Sequence, residues 1–131
     1  MTDVGIWGLL LVGVGGALGA MLRFGLDRLA VGAVGARHWM LGLPVGIATA
    51  NVLASFVLGI VTPVVAGPWA LFLAVGFTGS LSTFSSFALD TVSLAGGRRY
   101  ALASINVVAT VILGLGALTL GLWLGETLTA G

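Results

Sequence analysis

The sequence predicts an all-α membrane protein with four transmembrane helices, from its composition and from the pattern of its apolar stretches. Hydrophobic residues make up 59% of the 131 residues and charged residues only 7%, whereas soluble domains carry about 25% charged residues. The mean hydropathy is +1.21. Four apolar stretches alternate with short loops, and each can cross a hydrocarbon core about 30 Å thick. We therefore expect residues 1–131 to form a single membrane domain.

The boundaries of the four spans follow from glycine, proline and arginine positions. The spans are expected at about residues 5–31, 43–62, 68–95 and 100–124. The first has no basic residue before it and no clear cleavage site, so we expect a retained helix and not a signal peptide. Pro44 suits the first turn of the second helix. Pro63 is expected to end that helix, and Gly-Pro at 67–68 to start the third.

Spans two and four share a sequence motif. TANVLASFVLG at 49–59 matches SINVVATVILG at 104–114, with Asn, Val, Ala, Leu and Gly in register. A parallel repeat would explain the match, and so would two helices that meet similar partners. An asparagine in a hydrocarbon setting must find hydrogen-bond partners. The motif therefore singles out Asn51 and Asn106 as residues with specific partners in the fold.

The third span contains an unusually polar stretch. GFTGSLSTFSSF at 76–87 places six hydroxyl side chains in a span that is otherwise apolar. Serine and threonine bond back to helix carbonyls, and glycine weakens the helix, so we expect the helix to break in GSLST, near the midplane. Freed carbonyls at such a break can hold a cation, and the amide ends of half-helices favour an anion. The alternative is an intact helix whose hydroxyls contact neighbouring helices.

The residues after the expected break favour an anion site. Phe84 and Phe87 are three residues apart and share a helical face, with Ser80 and Thr83 on or near it. The edge of an aromatic ring carries partial positive charge, and the hydroxyls and the Asn51 amide are neutral donors. A small, strongly hydrated anion needs such donors to replace its water. A buried Arg or Lys would bind it too tightly for rapid conduction.

Three stretches together resemble the signature stretches of the Fluc/CrcB fluoride channel family. They are GALGAMLRF in span one, GIATANVLASFVLG in span two and GFTGSLSTFSSFALD in span three, in the family's order and over nearly the whole chain. The resemblance implies an antiparallel, dual-topology dimer with two narrow pores in the plasma membrane of a bacterium. It also implies passive export that lowers cytoplasmic fluoride, and a structural sodium ion on the dimer axis.

The resemblance assigns roles to residues by their position in the motifs. The implied fluoride pathway comprises Phe84, Phe87, Asn51, Thr83, Ser86, Tyr100 and Ser104. Arg23 would stand at the vestibule, where pairing with Asp27 one turn later is the alternative role. The backbone carbonyls of Gly79 and Ser82 would hold the sodium ion.

The chain departs from the family's usual GGLTTFSTFSxE. The departures include Ser80 for glycine, Ser82 and Ser86 for threonine, and Asp90 for glutamate. A carbonyl ligand is indifferent to the exchange of threonine for serine, so the sodium site remains implied. Ser80 is the change with most effect on local geometry, because glycine adopts backbone angles that serine avoids.

Two other functions are compatible with four apolar spans. A proton-coupled small multidrug exporter needs a carboxylate deep in a span, but Asp27 and Asp90 lie near span ends. A non-conducting structural subunit would explain the spans but not the polar stretch. The sequence has no cluster of His, Cys or carboxylate residues from which to build an enzyme. Fluoride, membrane lipid and a second subunit are the expected partners, and no nucleic acid is expected.

The arginines predict the orientation of the chain. The two termini and the loop between spans two and three share one side of the membrane, and that side has no Lys or Arg. The other side has Arg28, Arg37, Arg98 and Arg99, with Arg23 near it. Since Lys and Arg in short loops set orientation, the termini should lie outside the cytoplasm. We therefore predict a homologous second subunit of opposite orientation. Self-pairing of a chain that inserts both ways is the alternative.

Overall fold

A computed structural model of the chain describes residues 5–34, 39–40 and 43–131. Within these residues, four helical segments are long and apolar enough to cross a membrane. They are Ile6–Leu29, Val45–Val64, Pro68–Gly96 and Tyr100–Thr129. The all-α class with four membrane-spanning helices is confirmed. Arg37, one of the arginines that predict the orientation of the chain, lies outside the described residues.

Six α-helices, one π-helix and two short strands make up the described fold. The first two long helices are α1 (Ile6–Val34) and α2 (Val45–Val64). Span three consists of α3 (Pro68–Ala70), a π-helix (Leu71–Thr78), α4 (Gly79–Leu81) and α5 (Phe84–Gly96). The last helix is α6 (Tyr100–Thr129). Between α1 and α2, strands β1 (Trp39–Met40) and β2 (Leu43–Pro44) pair antiparallel.

The prolines at the two ends of α2 behave differently from our expectation. Pro63 lies inside α2 and does not end it. The helix continues because the missing N–H of a proline affects only the final turn here, and the Val65 N–H still bonds to the Val61 carbonyl at 2.9 Å. Pro44 directly precedes the helix and does not occupy its first turn. The end of α2 is thus two residues later than the predicted residue 62.

The helices at the two ends of the chain are longer than expected. The expected spans ended at residues 31 and 124, whereas α1 continues to Val34 and α6 to Thr129. At 1.5 Å per residue, a helix of 30 residues is about 45 Å long. That length exceeds a hydrocarbon core of about 30 Å, so α6 is tilted or projects beyond the core.

Two closely packed helix pairs form the frame of the molecule. The most extensive contacts join α2 to α6 and α1 to the π-helix. Glycine permits both approaches, since a Cβ at Gly121 of α6 would collide with the Phe56 carbonyl of α2, and one at Gly19 of α1 with the Phe77 carbonyl. Small residues at helix interfaces are typical of membrane proteins because they let backbones approach.

The π-helix was not predicted from the sequence. In a π-helix the backbone hydrogen bonds join residues five positions apart. The Thr78 side-chain hydroxyl spans the same distance, donating to the Leu73 carbonyl at 2.8 Å. Gly76, in the same segment, lies against the Val12 carbonyl of α1. The wide turn therefore lies where span three is pressed most closely against span one.

A small buried core supports the end of α4. Ala50 and Ala54 of α2 are almost fully buried against Leu81, the last residue of α4, and Leu26 and Phe77 pack on this group. Because Leu81 is fixed in the core, the residues that follow it start from a defined position. Large apolar side chains on α1 and α6 remain exposed, as lipid-facing surfaces require.

Candidate ion pathway at the broken helix

The helix of span three is interrupted at Ser82 and Thr83. Both have extended backbones, with φ and ψ of −76° and 153° at Ser82 and −149° and 114° at Thr83. The interruption lies within GSLST, where the sequence predicted it. It leaves 14 residues before the break (68–81) and 13 after it (84–96), so each part is about 20 Å long.

The side chain of Asn51, on α2, holds the interrupted backbone. Its Oδ1 accepts a hydrogen bond from the Thr83 N–H at 2.7 Å, and its Nδ2 donates to the Thr83 carbonyl at 3.3 Å. The orientation of the amide follows from chemistry, because only its oxygen can accept from a backbone N–H. One side chain thus satisfies both polar groups of a residue outside the helix, as an apolar environment demands.

Thr83 also forms the N-cap of α5. Its Oγ1 accepts from the Ser86 N–H at 3.4 Å and lies 3.3 Å from each of the hydroxyl oxygens of Ser85 and Ser86. Threonine is a favoured N-cap because its oxygen satisfies an N–H that has no partner within the helix. The second half of span three therefore begins with a cluster of three hydroxyls, fixed by Thr83.

A groove of about 430 Å³ lies beside the break. Its lining residues are Asn51, Ser55, Ser82, Thr83, Phe84, Phe87, Thr110, Val111, Gly114, Leu115 and Leu118. This described lining contains an amide, hydroxyls, phenyl rings and aliphatic groups, without a charged side chain. We call this space the groove.

The two phenylalanines form a pair along one side of the groove. Their ring centroids are 6.0 Å apart and the ring planes are tilted by 50°, an arrangement in the normal range for aromatic pairs. Phe87 is half-buried, whereas Phe84 is 80% exposed. An aromatic ring so exposed beside polar groups indicates that the groove is open on the Phe84 side of the chain.

The structure brings four of the seven predicted pathway residues to the groove. Asn51, Thr83, Phe84 and Phe87 all line it. Ser86 is bonded to Thr83 but borders a different cavity of about 220 Å³, together with residues that include Asp27 and Asp90.

Tyr100 and Ser104 are not brought to the groove. Tyr100 is 64% exposed at the start of α6. Ser104 is also exposed and borders a separate shallow hollow with Ile105 and Val108. These two positions were assigned through the resemblance alone, and neither is among the residues that line the groove.

Thr110 is the hydroxyl-bearing residue of α6 that borders the groove. Its Oγ1 is buried and makes no hydrogen bond, the one such side-chain atom found in the described part of the chain. By comparison, the Thr62 hydroxyl donates to the Leu58 carbonyl of its own helix at 2.7 Å. The repeated motif contained the signal for this residue, since Thr110 follows Asn106 by four positions as Ser55 follows Asn51.

The carbonyls predicted to bind sodium lie at the end of α4. In a continuous helix the Thr83 N–H would bond to the Gly79 carbonyl, but here it bonds to Asn51. The Gly79 carbonyl instead lies 3.5 Å from the Ser82 hydroxyl, at the outer limit of a hydrogen bond. Gly79 is exposed, so its carbonyl is near the surface of the chain.

Arg23, the predicted vestibule residue, is half-buried on α1 and does not line the groove. Arg28, one turn further along, places its guanidinium carbon 5.0 Å from the centre of the Phe24 ring, within the range of a cation–π contact. This position suits a residue at the membrane interface.

Comparison with known proteins identifies relatives over almost the whole chain. Residues 10–122 match the family model described as CrcB-like protein, Camphor Resistance (CrcB). A fluoride-specific ion channel FluC 1 of Leifsonia xyli subsp. xyli is 40% identical over 121 residues, which cover 88% of this chain and 85% of the relative. A fluoride-specific ion channel FluC of Aeromonas salmonicida is 42% identical, covering 88% and 93%. The FluC of Hyphomonas neptunium is 35% identical, covering 94% and 98%.

Proposed function

The chain belongs to the CrcB-like family, and from this membership and the geometry of the break we propose that it is a fluoride-selective channel. The protein is a multi-pass membrane protein of the plasma membrane and a transporter, not an enzyme. It lowers cytoplasmic fluoride by passive export through the groove, without consuming energy. The observation that carries this proposal is the arrangement of Asn51, Thr83, Phe84 and Phe87 around a groove whose described lining has no charged side chain.

Neutral donors explain how the groove can both accept fluoride and release it. Fluoride loses its hydration shell on entry, so donors must replace the lost water. A full positive charge would bind the ion too strongly for rapid passage, and conduction needs sites that also release. The amide and hydroxyl groups of the groove meet both requirements.

Two donor groups beside the groove have a proton that no described residue accepts. Asn51 has two amide protons, of which one is directed to the Thr83 carbonyl. The second is free to donate to fluoride. The Ser55 hydroxyl donates to the backbone carbonyl of Asn51 at 3.0 Å, whereas the Thr110 hydroxyl makes no hydrogen bond. We therefore add Thr110 to the proposed pathway, in the role that Tyr100 and Ser104 were expected to fill on the last helix.

The phenylalanines supply a third kind of contact. The edge of each ring is weakly positive and can face an anion without forming a strong bond. The exposure of Phe84, at 80%, supports a pathway that a second subunit completes. We propose an antiparallel dimer in which the Phe84 side of each protomer faces its partner. The arginine distribution supports a homologous partner of opposite orientation.

A structural sodium ion fits the end of α4. Sodium is a hard cation that prefers oxygen ligands, and the Gly79 and Ser82 carbonyls are oxygen donors close to the break. Diversion of the Thr83 N–H to Asn51 leaves the Gly79 carbonyl without its helical partner, and a Cβ built at Gly79 would meet nothing within 4 Å. Two carbonyls from each of two subunits would hold the ion, whose charge would offset the carbonyl ends of the half-helices.

Fluoride efflux from liposomes tests the proposed function. Vesicles containing the purified protein and loaded with potassium fluoride should release fluoride when a potassium ionophore removes the opposing voltage. Matched vesicles loaded with chloride should release nothing above protein-free vesicles. Equal release of chloride, or fluoride release at the protein-free rate, would contradict the proposal.

A further inference from the structure

A chain of hydrogen bonds links α6 to the backbone of Phe87. Asn106, which is only 4% exposed, directs its Nδ2 to the Thr91 hydroxyl at 3.0 Å. The Thr91 hydroxyl is 2.8 Å from the Phe87 carbonyl. The pathway described above uses neither Asn106 nor Thr91.

The direction of the protons in this chain is fixed by chemistry. A carbonyl can only accept, so the single hydroxyl proton of Thr91 goes to Phe87. The Thr91 oxygen then has lone pairs left, and Asn106 must be the donor to them. Aligned hydrogen bonds polarise one another, so loss of the Asn106 amide weakens the bond from Thr91 to Phe87 as well.

The helix that carries these groups is separated from the first half of span three. The break separates α5 from the rest of span three, and its 13 residues pack mainly on α6. No hydrophobic force drives helix pairing in lipid, so packing and hydrogen bonds between helices determine position. Asn51 fixes the start of α5 at Thr83, and Asn106 fixes it two turns later at Thr91. Both phenylalanines lie between these two contacts.

We infer that Asn106 is a positioning residue for Phe87, acting through Thr91. The inference rests on the proposed function in so far as Phe87 lines the fluoride pathway. The two asparagines of the repeated motif then have related roles. Asn51 anchors the start of α5 to α2, and Asn106 anchors α5 to α6. Without Asn106, α5 loses this hydrogen-bonded contact with α6, and the Phe87 ring moves relative to the donors of Asn51 and Thr110.

The Phe87 carbonyl can be observed individually. Phe87–Ala88 is the only Phe–Ala pair in the sequence, so the purified protein with carbonyl-¹³C phenylalanine and ¹⁵N alanine gives one carbonyl signal in a carbonyl-to-amide NMR correlation. We expect this signal to move to lower frequency in Asn106→Leu and in Thr91→Val, and to stay in place in Thr91→Ser. Thr119→Val is the matched control, because the Thr119 hydroxyl bonds to the Gly116 carbonyl on an exposed face of α6.

Fluoride efflux from liposomes measures the consequence. Because small displacements of positioned groups lower rates steeply, we expect efflux to fall about three- to tenfold in Asn106→Leu and Thr91→Val. Thr91→Ser and Thr119→Val should conduct at the parental rate. Thr91→Val nearly preserves volume, so it carries the test if Asn106→Leu fails to fold.

The outcomes separate this inference from the proposed function. A Phe87 carbonyl signal that does not move in Thr91→Val would overturn the chain of hydrogen bonds from Asn106 through Thr91 to Phe87. A signal that moves while efflux stays parental would overturn the positioning role. A parental protein that releases no fluoride would contradict the proposed function. The NMR comparison would still decide whether the chain of hydrogen bonds to Phe87 exists.

Discussion

Asn51 holds Thr83 by both of its backbone groups, at 2.7 Å to the N–H and 3.3 Å to the carbonyl. The same contact removes the Thr83 N–H from the Gly79 carbonyl. One side chain thus stabilises the helix break, leaves the Gly79 carbonyl without its helical partner and keeps one amide proton that Thr83 does not use. The proposed fluoride and sodium sites are therefore coupled through Asn51.

Replacing Phe84 and Phe87 together by isoleucine should abolish fluoride efflux. Isoleucine keeps apolar bulk but has no positive ring edge for an anion to contact. The measurement is liposome efflux by a double variant that still elutes as the parental oligomer in detergent. As control, Phe24→Ile changes an exposed ring on α1 away from the groove, and should conduct normally. Parental efflux from the folded double variant would exclude the two rings from the pathway.

Thr110→Val should lower fluoride efflux by about three- to tenfold, because it removes a neutral donor worth about 1 kcal/mol. The oxygen of Thr110 makes no bond within the described part of the chain, so its loss should leave thermal unfolding nearly unchanged. Thr119→Val, which removes an exposed and bonded hydroxyl on the same helix, is the control. Equal efflux from the two variants would remove Thr110 from the pathway.

Exchange of sodium for a large organic cation throughout purification should reduce both activity and thermal stability. Carbonyl ends of half-helices brought together in a dimer repel one another, and a cation between them offsets that repulsion. Return of sodium should restore the midpoint of thermal unfolding, whereas potassium of equal ionic strength should restore less. A protein indifferent to the exchange would not contain the proposed sodium site.

Tags at the two termini should report a single orientation for this chain. The side of the membrane that holds the termini has no Lys or Arg in the sequence, so the positive-inside rule directs the termini away from the cytoplasm. In cells, where insertion fixes the orientation of each chain, fluoride export should then require co-expression of a homologous subunit with the opposite charge bias. In detergent the orientation is not fixed, so the purified chains can pair antiparallel before reconstitution into liposomes. Tag signals on both sides, with export by this chain alone, would instead establish self-pairing.

The sequence was most informative about local features of span three. Glycine and hydroxyl residues weaken a helix wherever they lie, so GSLST predicted the break between Leu81 and Phe84. Its partner was not predictable as a contact, because Asn51 lies 32 residues from Thr83 and meets it only through the packing of α2. The π-helix also had no local signal, since it depends on the close approach of α1.

The pathway residues that the resemblance implies on α6 lie away from the groove. Tyr100 precedes Thr110 by ten residues, or about 15 Å along a helix. Ser104 precedes it by six residues and so lies on a different helical face. Placing a residue at the correct depth and on the correct face requires the packing of α6 on α2. Within α6, the repeated Asn-x-x-x-Ser/Thr spacing was the better guide to the groove.

The most direct measurement compares fluoride efflux from the parental protein and from Asn51→Asp in matched liposomes. Aspartate has the shape of asparagine and can still accept from the Thr83 N–H, but its carboxylate replaces the amide donor and repels an anion. We predict efflux at least tenfold slower, on the order of 1.4 kcal/mol or more in barrier height, from a dimer that remains folded. Parental efflux from folded Asn51→Asp would contradict a fluoride pathway through the groove.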